Sequence, residues 1–170
     1  MLYMKNGRIH TASFSFVLPE EMSINTQPYG CCPDLLVLTT LDKEYTIEIG
    51  ACRENSAQEA LMEWYYEDVY VPLTEIYNIE RDGMKGKALF FRTNSWKKEY
   101  YEERLMYRKN IENQNCFRLS IKHNILEQSK RNGIVDFMRK PNIKAFLDSI
   151  RYDSKLFDCL GGIYIFVIEE

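Results

Sequence analysis

Residues Leu35 to Gly50 have the sequence LLVLTTLDKEYTIEIG, in which two apolar segments flank the polar pair Asp42-Lys43. In the second segment Tyr45, Ile47 and Ile49 alternate with polar residues. A period of two is typical of a strand that has one buried face and one solvated face. The pattern predicts a β-hairpin with one face in the core.

Further strands are expected on both sides of this hairpin. The predicted strands are 12–18, 76–81, 87–92, 97–108 and 116–123. Pro19 ends the first of them because proline cannot donate to a strand ladder. The segment 82–86 begins with Asp-Gly, which accepts positive φ at low cost, so it predicts the bend of a second hairpin. We expect the last four strands to form an antiparallel meander.

Two helices are predicted from their starting residues. Ser56 and Glu59 match a capping box, and the helix that they open is expected to end near Pro72. A second helix follows Pro141, with apolar residues at helical spacing on one side. A short helix over 125–131, ended by Asn132-Gly133, is also expected.

The resulting fold class is α+β, a single domain over 1–153 with an antiparallel β-sheet meander and helices packed on it. The apolar tail 154–170 ends with Ile163 to Ile168, in which both faces of an extended segment would be apolar. Such a segment pairs readily with strand edges. We expect it to add a strand to its own sheet or to a second copy in a homodimer.

Composition excludes several classes of partner and site. The chain has 170 residues and a net charge of −3, which argues against non-specific nucleic-acid binding. No secretory signal pattern opens the sequence, and no apolar run reaches the ~20 residues that a membrane-spanning helix needs. Five cysteines without a regular spacing predict reduced thiols. We therefore expect a cytoplasmic protein that does not insert into membranes.

The element order resembles that of the PsbP-like fold superfamily. The resemblance covers roughly residues 10–152 and includes the strand to Leu18-Pro19, the capped helix at Ser56, the bend at 83–87 and the closing helix that contains residues 146–150. Similar patterns occur in DcrB-type bacterial proteins, in a Ran-binding nuclear-import factor and in Eag-type effector chaperones. The resemblance implies accessory or chaperone-like proteins that mostly bind other proteins without catalysis. The tail after Asp153 has no counterpart in it.

Catalytic chemistry finds little support in the histidines and cysteines. Cys116 and His123 lie seven apart on one predicted strand, so a regular strand separates them onto opposite faces. His123 is expected to be a hydrogen-bonded core residue. The vicinal thiols of Cys31 and Cys32 lack the spacing of a redox motif or a zinc site. No catalytic residue, metal site or cofactor is predicted.

Charged residues of the 97–109 segment are expected to form cross-strand ion pairs on a wet face. Glu102 and Glu103 are adjacent on a predicted strand, so they should point to opposite faces and form no acid/base pair.

Tyrosines supply the main signal for binding. The chain has twelve, and several lie between the predicted first helix and the long strand. Because tyrosine combines an apolar ring with a polar end, it is common at protein interfaces. Tyr65, Tyr100, Tyr101 and Tyr107 are the candidate binding residues, on an aromatic sheet face that contacts an unidentified protein. The alternative is a small-ligand-binding protein or thiol-dependent enzyme with a pocket between sheet and helices that involves Cys31, Cys32 and His10.

Overall fold

A computed structural model of the protein confirms the α+β class. The structure describes residues 2–11, 14–25, 34–52, 70–81, 84–94, 99–110, 116–125 and 133–152. The predicted helix at Ser56 and the tail 154–170 lie outside these ranges. The described strands form two antiparallel sheets.

The smaller sheet has four strands in the order β1-β2-β3-β12. They are β1 (Tyr3–Lys5), β2 (Arg8–His10), β3 (Phe14–Phe16) and β12 (Arg151–Tyr152). Asn6 and Gly7 connect β1 to β2 with φ of 52° and 71°. Two consecutive residues at positive φ match the right-handed twist of a hairpin, and Asn-Gly adopts them at low cost. The strand predicted over 12–18 corresponds to the shorter β3, and it belongs to this smaller sheet and not to the meander.

The larger sheet has eight strands and contains the predicted meander. Its strands are β4 (Met22–Asn25), β5 (Asp34–Thr40), β6 (Tyr45–Cys52), β7 (Tyr70–Pro72), β8 (Tyr77–Arg81), β9 (Met84–Asn94), β10 (Glu99–Asn110) and β11 (Cys116–Ile125). Their order is β4-β5-β6-β11-β10-β9-β7, and β8 pairs with β9. The predicted hairpin of β5 and β6 is confirmed. Pairing of β6 with β11 joins this hairpin to the meander.

The second predicted hairpin has a tighter bend than expected. Arg81 pairs with Met84, so Met84 to Gly86 are strand residues and not part of the bend. A Cβ atom on Gly86 would lie 2.2 Å from the backbone oxygen of Met106. A glycine is required at position 86 because the backbone of β10 lies too close to β9 there for a side chain.

In the described part of the chain, two helices follow β11: α1 (Gly133–Arg139) and α2 (Pro141–Ser149). The prediction of α2 is confirmed, and its Phe146 ring packs edge-on against Phe16 of the small sheet, with 5.7 Å between centroids. Of the helix predicted over 125–131, residues 126–131 lie outside the described ranges. Ile125 belongs to β11, and Gly133, predicted to follow the end of that helix, is instead the first residue of α1.

One face of the large sheet packs with the helices to form the main core. The buried side chains on it include Leu38, Ile47, Ile49, Leu119, Ile121 and Tyr107 from the strands, and Ile134 and Phe137 from α1. The opposite face contradicts the prediction of a wet surface, since Glu102, Arg104 and Ser120 are buried there with Met106. Glu102 and Arg104 are therefore paired away from water.

Candidate functional site

His123 lies at the centre of a buried polar cluster beneath α1. In the large sheet it is directly opposite Glu103 of β10 and Tyr45 of β6. Alternation along the strands places all three on the helix-covered face. The prediction that His123 is a hydrogen-bonded core residue is confirmed, since it is 1% exposed.

Both ring nitrogens of His123 face carboxylate oxygens. Nδ1 lies 2.9 Å from Oε2 of Glu103, and Nε2 lies 2.9 Å from Oε1 of Glu44. An imidazolium donates both hydrogen bonds, whereas a neutral ring donates only one and needs a protonated carboxyl group for the other. The histidine is thus held in a fixed orientation between two acidic side chains.

The same cluster attaches α1 to the sheet. The backbone N–H of Ile134 donates to Oε2 of Glu103 over 3.1 Å, and the hydroxyl of Tyr45 donates to the carbonyl of Gly133 over 3.2 Å. The Tyr45 ring stacks between His123 and Phe137, with centroid distances of 4.3 and 4.0 Å. The start of α1 is therefore fixed by hydrogen bonds and by ring stacking.

Gly133 allows this close contact. A Cβ atom there would lie 2.3 Å from Cε1 of the His123 ring. Any other residue at this position would displace either the imidazole or the helix.

Two neighbouring groups have shifted pKa values. Burial, followed by the negative charges of Glu44 and Glu103, raises the pKa of Tyr45 to about 12. The pKa of Asp42 is lowered because its carboxylate accepts hydrogen bonds from the Thr40 hydroxyl and the Glu44 backbone N–H. Tyr45 is thus a neutral hydrogen-bond donor at physiological pH.

A small cavity opens beside the cluster, between α1 and strands β8, β9 and β10. Its volume is about 110 Å³. Its walls include Ala88, Phe90, Leu105 and Ile134, and Glu103 also lines it. Tyr77 of β8 and Val135 of α1 flank the cavity, and they are 51% and 42% exposed. We call this feature, with Tyr77 and Val135 at its rim, the β8–α1 cleft.

Charged side chains on the opposite sheet face neutralise each other. Glu102 lies 2.8 Å from a guanidinium nitrogen of Arg104 and 2.9 Å from Nζ of Lys122. Arg118 pairs with Glu48 at 2.7 Å. Glu102 and Glu103 thus point to opposite faces, as predicted. Each carboxylate has close charged or polar partners, so the two do not form an acid/base pair.

Of the candidate binding tyrosines, Tyr107 is the one whose side chain lies in the described part of the chain. Tyr107 is 6% exposed within the core, so its ring does not present a surface to a partner. Tyr100 and Tyr101 lie on β10, but their side chains are outside the described part, as is all of Tyr65. The binding role of these three residues stays a prediction.

The alternative site is not assembled in the described part of the chain. His10 lies on β2 in the small sheet, while Cys31 and Cys32 fall in a range that the structure does not describe. A pocket between the large sheet and a helix does exist, but its described lining contains neither cysteine nor histidine. Within the described ranges, no group of three or more acidic, histidine or cysteine side chains is arranged to hold a metal ion.

Comparison with known proteins gives only distant likenesses of fold. No family model and no curated protein matches the sequence. LpqN of Mycobacterium tuberculosis, described as involved in cell envelope biogenesis, superposes with a TM-score of 0.49 and 9% identity, covering 82% of this chain and 83% of LpqN. A protein from Bacteroides thetaiotaomicron gives a TM-score of 0.45 and 10% identity, over 84% of this chain and 46% of that one. Neither likeness assigns a ligand, partner or activity to this chain.

Among the helices that the structure describes, none is long and apolar enough to cross a membrane.

Proposed function

We propose that this protein is a non-catalytic accessory module that binds a segment of another protein in the β8–α1 cleft. The observation that carries the proposal is the exposure of Tyr77 and Val135 beside a cavity whose lining is mainly apolar residues and also includes Glu103 and Arg104. Exposed apolar side chains beside a concave site with a few polar groups are typical of interaction surfaces. The cleft takes the place of the aromatic sheet face expected from the tyrosines.

The size of the cavity supports a protein partner over a cofactor. Sites for drug-sized molecules and cofactors usually measure roughly 300–1,000 Å³, whereas a dry cavity of about 150 Å³ holds a molecule as small as benzene. At about 110 Å³ the cavity fits one branched aliphatic side chain. A single side chain anchored in a pocket is a common way for a protein segment to be held.

The edge of the sheet supports an extended partner. In the described part of the chain, β8 pairs with β9 alone, so its other edge carries no described strand. An extended segment can add to such an edge by main-chain hydrogen bonds while alternate side chains enter adjacent pockets. Strand β8 would thus provide backbone pairing, and the cleft would provide side-chain selectivity.

The buried cluster supports a role without catalysis. His123 is covered and both of its ring nitrogens are bonded, so it is poorly placed to exchange protons with a substrate. It instead orients Glu103, whose Oε2 accepts the backbone N–H of Ile134 at the start of α1, one wall of the cleft. We further propose that the protein is cytoplasmic and chaperone-like, in keeping with the PsbP-like pattern of its sequence.

Selection from a library of displayed extended peptides tests this function. We expect enrichment of peptides with a branched aliphatic residue. Val135→Glu should weaken binding of a selected peptide at least tenfold, because it places a charge at the apolar rim. Leu41→Glu is the matched control, since Leu41 is 72% exposed in the turn between β5 and β6. Failure to enrich any peptide, or equal losses in the two variants, would contradict the proposal.

A small-ligand function is the second candidate, and the position of the cavity between sheet and helix favours it. Thermal-shift screening against small metabolites distinguishes the two. A metabolite that raises the Tm of the wild-type protein, but not that of Val135→Glu, would support ligand binding in place of peptide binding.

A further inference from the structure

Two cysteines occupy opposite positions where the hairpin joins the meander. Cys52 is the last residue of β6, and Cys116 is the first residue of β11. The two residues are direct partners in the antiparallel register of these strands. The sequence places them 64 residues apart, so only the strand pairing brings them together.

The hydrogen-bond pattern defines the kind of pair that they form. The backbone N–H of Asn124 donates to the carbonyl of Glu44 over 2.9 Å, which marks these opposite residues as a hydrogen-bonded pair. Such pairs recur at every second position of an antiparallel ladder. The register continues without interruption to Cys52 and Cys116, which are eight positions further along and therefore also form a hydrogen-bonded pair.

This position has the backbone spacing of a disulfide. Cα atoms of a hydrogen-bonded antiparallel pair lie about 5.5 Å apart. Disulfides span Cα separations of roughly 4.4–6.8 Å, most often about 5.5–6 Å. The Cβ atoms of a hydrogen-bonded pair lie about 5.5 Å apart, however, beyond the roughly 3.5–4.5 Å of a relaxed disulfide. A bond here therefore needs a small local adjustment of the strands, and the resulting strain makes it readily reduced, as a reversible redox pair requires.

We propose that Cys52 and Cys116 form a reversible redox pair that is oxidised to a cross-strand disulfide by small-molecule disulfides such as oxidised glutathione. One cysteine thiolate attacks the oxidant, forms a mixed disulfide and releases one thiol. The second cysteine thiolate then attacks the protein sulfur of the mixed disulfide, forms the protein disulfide and releases the second thiol. The protein sulfurs lose two electrons, the oxidant gains them, and the two protons leave on the released thiols.

The bond would link the two halves of the large sheet. Strand β6 belongs to the first hairpin and β11 closes the meander, so their pairing is the junction between these units. A disulfide across it closes a long loop of the unfolded chain, which stabilises the folded state. We expect the oxidised protein to have a higher Tm than the reduced protein.

Alkylation and peptide mapping of the full chain test the proposal. The protein is incubated with oxidised glutathione, then denatured and treated with N-ethylmaleimide. Fully reduced protein should take up five maleimide groups, one for each cysteine, and oxidised protein two fewer. Trypsin should release peptides 44–53 and 110–118 as one linked species, which dithiothreitol separates; each contains a single cysteine.

Substitutions identify the pair independently. Cys52→Ser and Cys116→Ser should each prevent formation of the linked species, and Cys159→Ser, the matched control, should retain it. The tryptic peptide map of the wild-type protein tests the Cys52–Cys116 linkage even if a variant fails to fold. Retention of all five reactive thiols, a persistent glutathione adduct, or a linkage that involves Cys31, Cys32 or Cys159 would overturn the proposal.

Discussion

Oε2 of Glu103 lies 2.9 Å from Nδ1 of His123, and the same oxygen accepts the backbone N–H of Ile134. One carboxylate oxygen therefore connects β10, β11 and the start of α1. Because α1 forms a wall of the β8–α1 cleft, this contact links the buried cluster to the surface that we propose binds a partner.

Loss of the Glu103 carboxylate should destabilise the fold. Glu103→Ala leaves the imidazole and a backbone N–H without their buried acceptor, so we expect the free energy of unfolding to fall by about 3 kcal/mol. Glu103→Gln should cost less, because its amide oxygen can still accept one hydrogen bond. Urea denaturation followed by circular dichroism measures both. Glu80→Ala, at an exposed position of β8, should change stability by less than about 0.5 kcal/mol. Equal effects of Glu103→Ala and Glu80→Ala would contradict this role.

Tyr45 should make stability sensitive to alkaline pH. Its pKa is raised to about 12 in the folded protein, from an ordinary value of 10.0. Its contribution to stability is therefore complete below pH 10 and is lost as the pH rises towards 12, because the unfolded chain ionises first. The difference in 295 nm absorbance between wild-type protein and Tyr45→Phe, followed against pH, should show a midpoint near pH 12 for ionisation of the Tyr45 phenol. A midpoint near 10 would show that Tyr45 is neither buried nor close to the carboxylates.

Asp42 should respond to loss of the Thr40 hydroxyl. Thr40 donates to Asp42 over 2.5 Å, and this bond is the largest cause of the lowered carboxyl pKa. Thr40→Val should raise that pKa towards 3.8, as followed by carboxyl carbon NMR. Because the folded pKa is depressed, the contribution of Asp42 to stability is present above pH 3.8 and is lost as pH falls through the folded pKa. Thr40→Val should reduce this pH-dependent contribution of Asp42 to stability. An unchanged pKa of Asp42 in the variant would show that the Thr40 hydroxyl does not lower it.

Gly86 should tolerate a side chain less well than Gly7. In Gly86→Ala the new methyl group meets the Met106 backbone oxygen, which cannot move without distorting β10. We expect a loss of about 2–3 kcal/mol. Around Gly7 there is open space, and its φ of +71° imposes only the conformational cost, about 1 kcal/mol. Thermal or urea unfolding of the two variants provides the comparison, and an equal or larger loss in Gly7→Ala would be inconsistent with the close strand approach.

Strand positions could be predicted where polar and apolar residues alternate. The hairpin through Asp42-Lys43 and the helix after Pro141 follow from such patterns and are confirmed. The hairpin through Asn6-Gly7 carries a strong turn signal, but its strands of three residues are too short for a periodicity. The start of α1 could not be predicted, because Gly133 is more typical of helix ends and its role here is close contact with His123.

The site was less predictable than the fold because it depends on pairs distant in sequence. The local pattern correctly placed His123 in the core, but it could not identify Glu44 and Glu103 as its partners. A tyrosine-rich segment resembles an interface and so predicts Tyr107 on a binding surface, whereas its strand register places it in the core. Tyr77 and Val135 line the same cavity only because α1 packs on β10 and β11, which no local signal specifies.

Site-specific photo-crosslinking in cells tests the β8–α1 cleft most directly. The photoreactive residue p-benzoylphenylalanine replaces Val135 in one variant and Leu41 in another, and Val135 and Leu41 are both exposed apolar residues. We predict that the variant at position 135 links to a defined partner protein on irradiation, that the variant at position 41 does not, and that an excess of a selected peptide suppresses the link. Absence of a link at position 135, or the same links at both positions, would contradict the account.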